Sequence, residues 1–193
     1  RRDTMNCCLF DVASVLKGGF EMGNIWYNEP KTLDVAFDVI GDIVLSAASQ
    51  QYGGFTVPEV DKILEPYAEK SYQRDIDKYV RLGIDRETAE SEAYADVVRE
   101  FEQGFQGWEY KFNTVASSRG DYPFITVTAG IGTGRFAKLA TISLLNVRRR
   151  GQGKKECKKP VLFPKIVFLY DENLHGPGKP LEDVFEAGVK CSA

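Results

Sequence analysis

Apolar residues at Leu33, Phe37, Ile40, Val44 and Ala47 return every three or four positions, with Ala36 and Ile43 widening the stripe. That period places them on one face of a helix, with Thr32 as its expected cap and Gly53-Gly54 as its end. A second helix is predicted over residues 59–82, entered through Thr56-Val57-Pro58 with proline in the first turn. Asp85 stands where it would cap a third, long helix, which carries Ala93, Val97, Phe101, Phe105 and Trp108 toward Phe112. Further helices are predicted over 136–148 and after Pro180. Short apolar runs at 5–12, 122–128 and 161–170 read as strands. Residues 17–31, rich in Gly, Asn and Pro, and the basic stretch 148–159 read as loops. Strands separated by long helices predict a parallel α/β fold.

Composition narrows the function. The chain has 193 residues, enough for one domain with a sizeable core. It is 43% hydrophobic and 27% charged, with a net charge of −3. That balance argues against general nucleic-acid binding, which needs a basic surface. No apolar stretch reaches transmembrane length. Four cysteines without zinc-type pairing fit reduced thiols and a cytoplasmic setting. Arg1 in first place, and a close at Cys191-Ser192-Ala193 soon after a helix over 181–187, with no Gly or Pro stop after the last residues, lead to the expectation of a segment of a longer enzyme.

Chemistry first shows in Met5-Asn6-Cys7-Cys8-Leu9-Phe10-Asp11. Neighbouring side chains on a strand point to opposite faces. One thiol can therefore be offered to a site while the other is packed, although two small buried hydrophobes are the commoner arrangement.

The segments that follow give the pair a context. Leu16-Lys17-Gly18-Gly19-Phe20-Glu21-Met22-Gly23-Asn24 leads to Glu29-Pro30-Lys31-Thr32-Leu33-Asp34, then to Gln50-Gln51-Tyr52-Gly53-Gly54-Phe55 and Ser117-Ser118-Arg119-Gly120-Asp121-Tyr122-Pro123-Phe124. In this order and spacing the chain resembles the anaerobic (class III) ribonucleoside-triphosphate reductases, which are glycyl radical enzymes. The resemblance implies an α/β fold that is the first part of a ten-stranded α/β barrel, with 1–193 a partial catalytic barrel domain. It implies reduction of ribonucleoside triphosphates to 2′-deoxyribonucleoside triphosphates for DNA synthesis. It also implies a homodimer, a radical-SAM activase, a glycyl radical, structural zinc, and ATP or dNTP effectors in the complete enzyme. No cofactor is expected within 1–193. The ATP-cone, the finger-loop cysteine segment, the radical glycine and the zinc Cys-x-x-Cys pairs are missing from it, so this segment alone is expected to be inactive.

Residue by residue, the family's Asn-Cys on the first barrel strand matches Asn6-Cys7. The resemblance therefore gives Cys7 the role of the thiol facing the substrate ribose, with Cys8 as competitor, because a one-residue slip would exchange their faces. Cys191, in Val189-Lys190-Cys191-Ser192, lacks the surroundings of the family's radical cysteine and reads as a packed helical thiol. Effector contacts are expected from Asp38, Gln51 and Tyr52, with Lys70 for phosphate, and Arg119 is a further phosphate candidate.

Other readings stay open at this level. Gly130-Ile131-Gly132-Thr133-Gly134-Arg135 has the composition of a phosphate loop, but it is neither a Walker A motif nor a dinucleotide fingerprint. His175, in a turn-rich stretch, has no second ligand nearby and is assigned no metal. A non-catalytic dNTP-binding or dimerisation module is the alternative function. A formate-lyase relative ranks behind both.

Overall fold

The computed structural model describes residues 6–51, 53–114, 122 and 124–193. The first strand, β1 (Cys8–Leu9), is shorter than the expected 5–12, of which Met5 lies outside the described residues. Asp11 ends it: its Oδ1 accepts the Ser14 N–H at 3.1 Å and opens the short helix α1 (Val12–Leu16), which buries Val12 and Leu16. The expected loop 17–31 contains a hairpin, β2 (Phe20–Met22) and β3 (Ile25–Tyr27). Gly23, at φ 64°, turns it, and the Phe20 and Tyr27 rings stack at 5.0 Å.

Helix α2 (Leu33–Ala48) buries the expected stripe. Thr32 does not cap it through its side chain; its hydroxyl donates to the Asp34 carboxylate instead. The Leu33 N–H is satisfied from outside, by Ser71 Oγ at 2.9 Å. Strand β4 (Phe55–Val57) leads into α3 (Val60–Arg81). Glu59, with φ 50°, makes the turn, so Pro58 precedes the first turn and does not sit in it. Asp85 caps α4 (Arg86–Thr114) as expected, its Oδ1 accepting the Thr88 N–H at 3.0 Å.

Strand β5 (Ile125–Ala129) is followed by α5 (Arg135–Arg150). The basic stretch is therefore not one loop. Arg148, Arg149 and Arg150 form the last turn of α5, where cations oppose the helix dipole. The lysines beyond lie on a second hairpin, β6 (Gln152–Lys154) with β7 (Cys157–Lys159). Strand β8 (Lys165–Phe168) and helix α6 (Glu182–Ser192) complete the described chain.

Four strands form one parallel sheet in the order β1-β4-β5-β8. Spatial order follows chain order, with helices in each connection, whereas a doubly wound sheet would reverse at a switch point. Among the described residues the sheet is open, with β1 and β8 as its edges, so the expected barrel is present only as this sequential parallel sheet. Its two faces differ. Phe55, Val57, Ile125, Val127 and Ala129 point into one apolar core with Phe37, Leu64, Phe105 and Leu144 from the helices. The alternate residues Leu9, Thr56, Thr126 and Lys165 lie side by side in register on the other face. Leu9 there is 77% exposed and Val167 46%. This outer face is mixed, with Leu9 and Val167 beside Thr56, Thr126 and Lys165, and β1 and β8 are free edges among the described residues.

The approach to β8 is held by α4. Asn113 Oδ1 accepts the Phe163 N–H at 3.0 Å, and its Nδ2 donates to the Phe163 carbonyl at 2.6 Å. Glu109, 1% exposed, accepts from Arg148 Nε at 2.7 Å and from Gln152 Nε2 at 2.5 Å. Arg148 then donates onward to the Pro164 carbonyl at 2.6 Å.

Candidate functional site

The cysteine pair divides between the two faces of the sheet. Cys8 and Phe10 pack against the core, the Phe10 ring 5.2 Å from Phe55. Cys7, in the bend just before β1, is exposed; alternation along the strand would set it on the side of Leu9. Burial, with the Cys7 sulfur beside it, pushes the Cys8 thiol above its ordinary pKa, which leaves less of the reactive thiolate at neutral pH. The open face therefore carries the accessible thiol and the core face the subdued one.

Cys7 is not free to swing. The β1–β4 ladder runs from Cys8 N–H to the Gly54 carbonyl at 3.0 Å and from Phe10 N–H to the Thr56 carbonyl at 2.8 Å. The Gly54 N–H leaves that backbone pattern and donates to Cys7 Sγ at 3.2 Å. Asn6 and Cys7 lie against Gly53, where an added Cβ would come within 2.5 Å of the Asn6 carbonyl oxygen and 2.6 Å of Cys7 Sγ. These contacts join segments 47 residues apart. The sequence reading of the Gln50–Phe55 segment as helix end and effector contact missed its role as the wall behind the thiol.

The glycine loop after β5 is committed elsewhere. Gly130 N–H and Gly132 N–H both donate to Asp61 Oδ2, at 3.1 and 2.9 Å, and Asp61 is fully buried. A Cβ on Gly134 would overlap the Glu65 carboxylate. Two carboxylates thus stand where a phosphate would have to sit, and the loop is not a phosphate cradle. Its glycines serve close packing on α3. No local signal in the sequence joins Asp61 to this loop, because the partners are 69 and 71 residues away.

The effector candidates scatter. Asp38 lies on the wall of a cleft of about 530 Å³ between α2, α3 and α4, paired with Lys111 at 3.0 Å. Arg74, Lys78 and Arg99 also line this cleft. Arg74 is held by Asp75 at 2.8 Å and Glu100 at 2.9 Å, and its pKa is raised, first by the Asp75 hydrogen bonds. Arg99 pairs with Asp96, which also accepts from the Tyr79 hydroxyl at 2.6 Å. Lys78 lies over the Tyr79 ring at 5.1 Å and, although its charge acts on Asp96, makes no ion pair within 4 Å among the described residues. Of the lining cations it is therefore the one left to meet an added anion; helical spacing alone did not single it out.

Lys70 is elsewhere, bound to Glu29 Oε1 at 3.0 Å beside Tyr67. Its hydrogen bond lowers the Glu29 pKa, and burial raises that of Tyr67 to about 12. Gln51 follows α2, half-buried, its Oε1 lacking a hydrogen-bond partner among the described residues. Tyr52 and Arg119 lie outside the described residues.

His175 is structural. Its Nδ1 accepts the Asp171 N–H at 3.0 Å, which leaves Nε2–H to donate to the Gly130 carbonyl at 2.8 Å. Cys191 lies on α6, half-buried, its thiol pKa raised chiefly by burial. Among the described residues no group of three or more His, Cys, Asp or Glu is placed to hold a metal ion. No described helix is long and apolar enough to cross a membrane.

Comparison with known proteins gives this geometry a setting. The family described as anaerobic ribonucleoside-triphosphate reductase matches residues 2–193. The enzyme of that name from Haemophilus influenzae is 35% identical over 191 residues, and that from Enterobacteria phage T4 33% over 190. Each alignment covers 97% of this chain, but 26% and 31% of the respective relative. The crystal structure of the anaerobic ribonucleotide reductase from Thermotoga maritima in complex with dATP and CTP shares the fold, with a TM-score of 0.63 at 16% identity. That likeness covers 98% of this chain and 31% of the other. The chain thus spans between a quarter and a third of the length of these relatives.

Proposed function

The chain belongs to the anaerobic ribonucleoside-triphosphate reductase family, and on that basis we propose that it carries the substrate-facing thiol of such an enzyme, Cys7. The complete enzyme would replace the ribose 2′-hydroxyl of a ribonucleoside triphosphate by hydrogen. The observation that supports this reading is the contrast within the cysteine pair: Cys7 is exposed just before β1, while Cys8 packs against the core. In this reading the open face becomes the inner wall of a barrel completed by further strands, and burial there would shelter a reactive thiol from water. Asn6, beside Cys7, supplies an amide for the sugar hydroxyls. The glycyl radical, generated elsewhere in the complete enzyme by a radical-SAM activase, supplies the oxidising power that starts the reaction. The intact polypeptide, loaded with radical as followed by electron paramagnetic resonance and supplied with formate or a protein dithiol as two-electron donor, is expected to convert ribonucleoside triphosphates to their deoxy forms with release of water. Radical-loaded enzyme that releases no deoxynucleotide from any common ribonucleotide would sink the proposal.

The α2–α4 cleft is the proposed effector site, near a homodimer interface. Its volume suits a nucleotide-sized ligand. Asp38 there accepts from sugar hydroxyls or a base edge, and Lys78 meets phosphate. Gln51, Tyr52, Lys70 and Arg119 remain proposed nucleotide contacts, Lys70 only by exchanging Glu29 for the ligand. Lys78→Ala is expected to weaken dNTP binding about tenfold, the weight of one charge-assisted hydrogen bond. Isothermal titration calorimetry on the intact enzyme checks this, and unchanged affinity would remove the cleft from consideration.

A further inference from the structure

We infer that Gly53 and Gly54 are positioning residues for the Cys7 thiol, acting through one amide N–H and one absent Cβ. This deepens the proposed role of Cys7 and rests on it. A solvent-facing cysteine at a strand's beginning ordinarily samples several staggered χ1 states. Here two observations select one. Gly54 N–H donates to Cys7 Sγ at 3.2 Å while the Gly54 carbonyl accepts the Cys8 N–H at 3.0 Å, so a single residue grips both the side chain of Cys7 and the backbone after it. Gly53 supplies the space: a Cβ there would stand 2.6 Å from the sulfur and 2.8 Å from Asn6 Oδ1.

The sulfur accepts this hydrogen bond, so its own S–H remains unengaged by Gly54. The thiol is thereby fixed in position while its transferable hydrogen is left for a ligand on the open face. Thiol chemistry on a bound sugar depends on such fixed placement, because displacement by about 1 Å costs on the order of a hundredfold in rate.

The two glycines are not equivalent. A Cβ on Gly54 would meet Cys7 Sγ at 3.9 Å, an ordinary contact, and the residue keeps its N–H when it becomes alanine. Gly54 has no positive φ that would itself penalise alanine. Gly53→Ala is therefore expected to lower kcat of the intact enzyme about a hundredfold with KM within about twofold. A merely structural role would not separate kcat from KM.

A readout independent of turnover is the Gly54 amide, followed by hydrogen exchange in the intact enzyme. Cys7→Ala is expected to reduce protection at Gly54 about tenfold while neighbouring β4 amides keep theirs. Unchanged Gly54 protection in Cys7→Ala, or full turnover in Gly53→Ala, would overturn the inference. Full turnover in Cys7→Ser would instead overturn the role of Cys7 itself, so the two failures are distinguishable. Should Gly53→Ala fail to fold, the Gly54 exchange experiment decides alone.

Discussion

Cys7→Ser is expected to lower turnover of the intact enzyme by about a thousandfold or more, the scale on which an essential reacting group is lost. The hydroxyl fills nearly the same space and can still accept the Gly54 N–H, so folding should hold. It cannot donate a hydrogen atom or accept oxidation as a thiol does. Cys8→Ser is expected to do the opposite. Its side chain packs against the core beside Phe10 and Phe55, so a hydroxyl there should cost about 1–2 kcal/mol of stability and leave turnover within about threefold. Anaerobic turnover and denaturant unfolding of the two variants separate the roles. Equal loss in both would mean that the face assignment does not decide the chemistry.

Glu109→Ala is expected to destabilise the chain by about 3–5 kcal/mol, the usual consequence of leaving one member of a buried ion pair without the other. Glu109 is 1% exposed and the Arg148 side chain 17%. Its removal strands a guanidinium that also anchors the Pro164 carbonyl, and it strips Gln152 of its acceptor. Three connections then loosen together: α4 to α5, α4 to β6, and α5 to the segment entering β8. The contrast is Glu102→Ala, whose partner Arg150 is 54% exposed; that change should cost under about 1 kcal/mol. Urea unfolding monitored by circular dichroism tests both. Similar midpoints for the two variants would show that the Glu109 network bears no special weight.

What could be read from the sequence depended on length and period. Helices α2, α3, α4 and α5 announced themselves because each presents several turns of apolar positions to one core. Asp85 could be named as a cap because capping is local. The hairpins β2–β3 and β6–β7 could not. Their strands have three residues each, and Gln152–Lys154 and Cys157–Lys159 carry no alternation, being held by turn geometry and pairing. Strand β1 was read too long because Val12 looks like its next apolar position, whereas the Asp11 cap turns Val12 into a helix.

The site divides in the same way. Alternation along a strand is local, so the opposite facing of Cys7 and Cys8 followed from adjacency once β1 was recognised. Which of the two meets the open face depends on register with β4, set by Cys8 opposite Phe55 and Leu9 opposite Thr56. The Gly54 contact to Cys7, the Asp61 grip on the glycine loop and the carboxylates that surround the cleft cations all join residues distant in sequence or turned by the packing of α2, α3 and α4. Charge composition could not tell which cation is already paired. Lys70 looked available for phosphate and is held by Glu29; Lys78 looked like one lysine among many and is the cleft cation without such a partner among the described residues.

The most direct test uses a ribonucleoside triphosphate bearing a thiol-reactive electrophile on its ribose, incubated anaerobically with the intact enzyme. Peptide mass spectrometry would then locate the adduct. A label on Cys7, suppressed by excess unmodified ribonucleotide and absent from Cys8, is the expected result. A label on Cys8, or on Cys7 with no competition by nucleotide, would contradict the placement of the substrate ribose against the open face of the sheet.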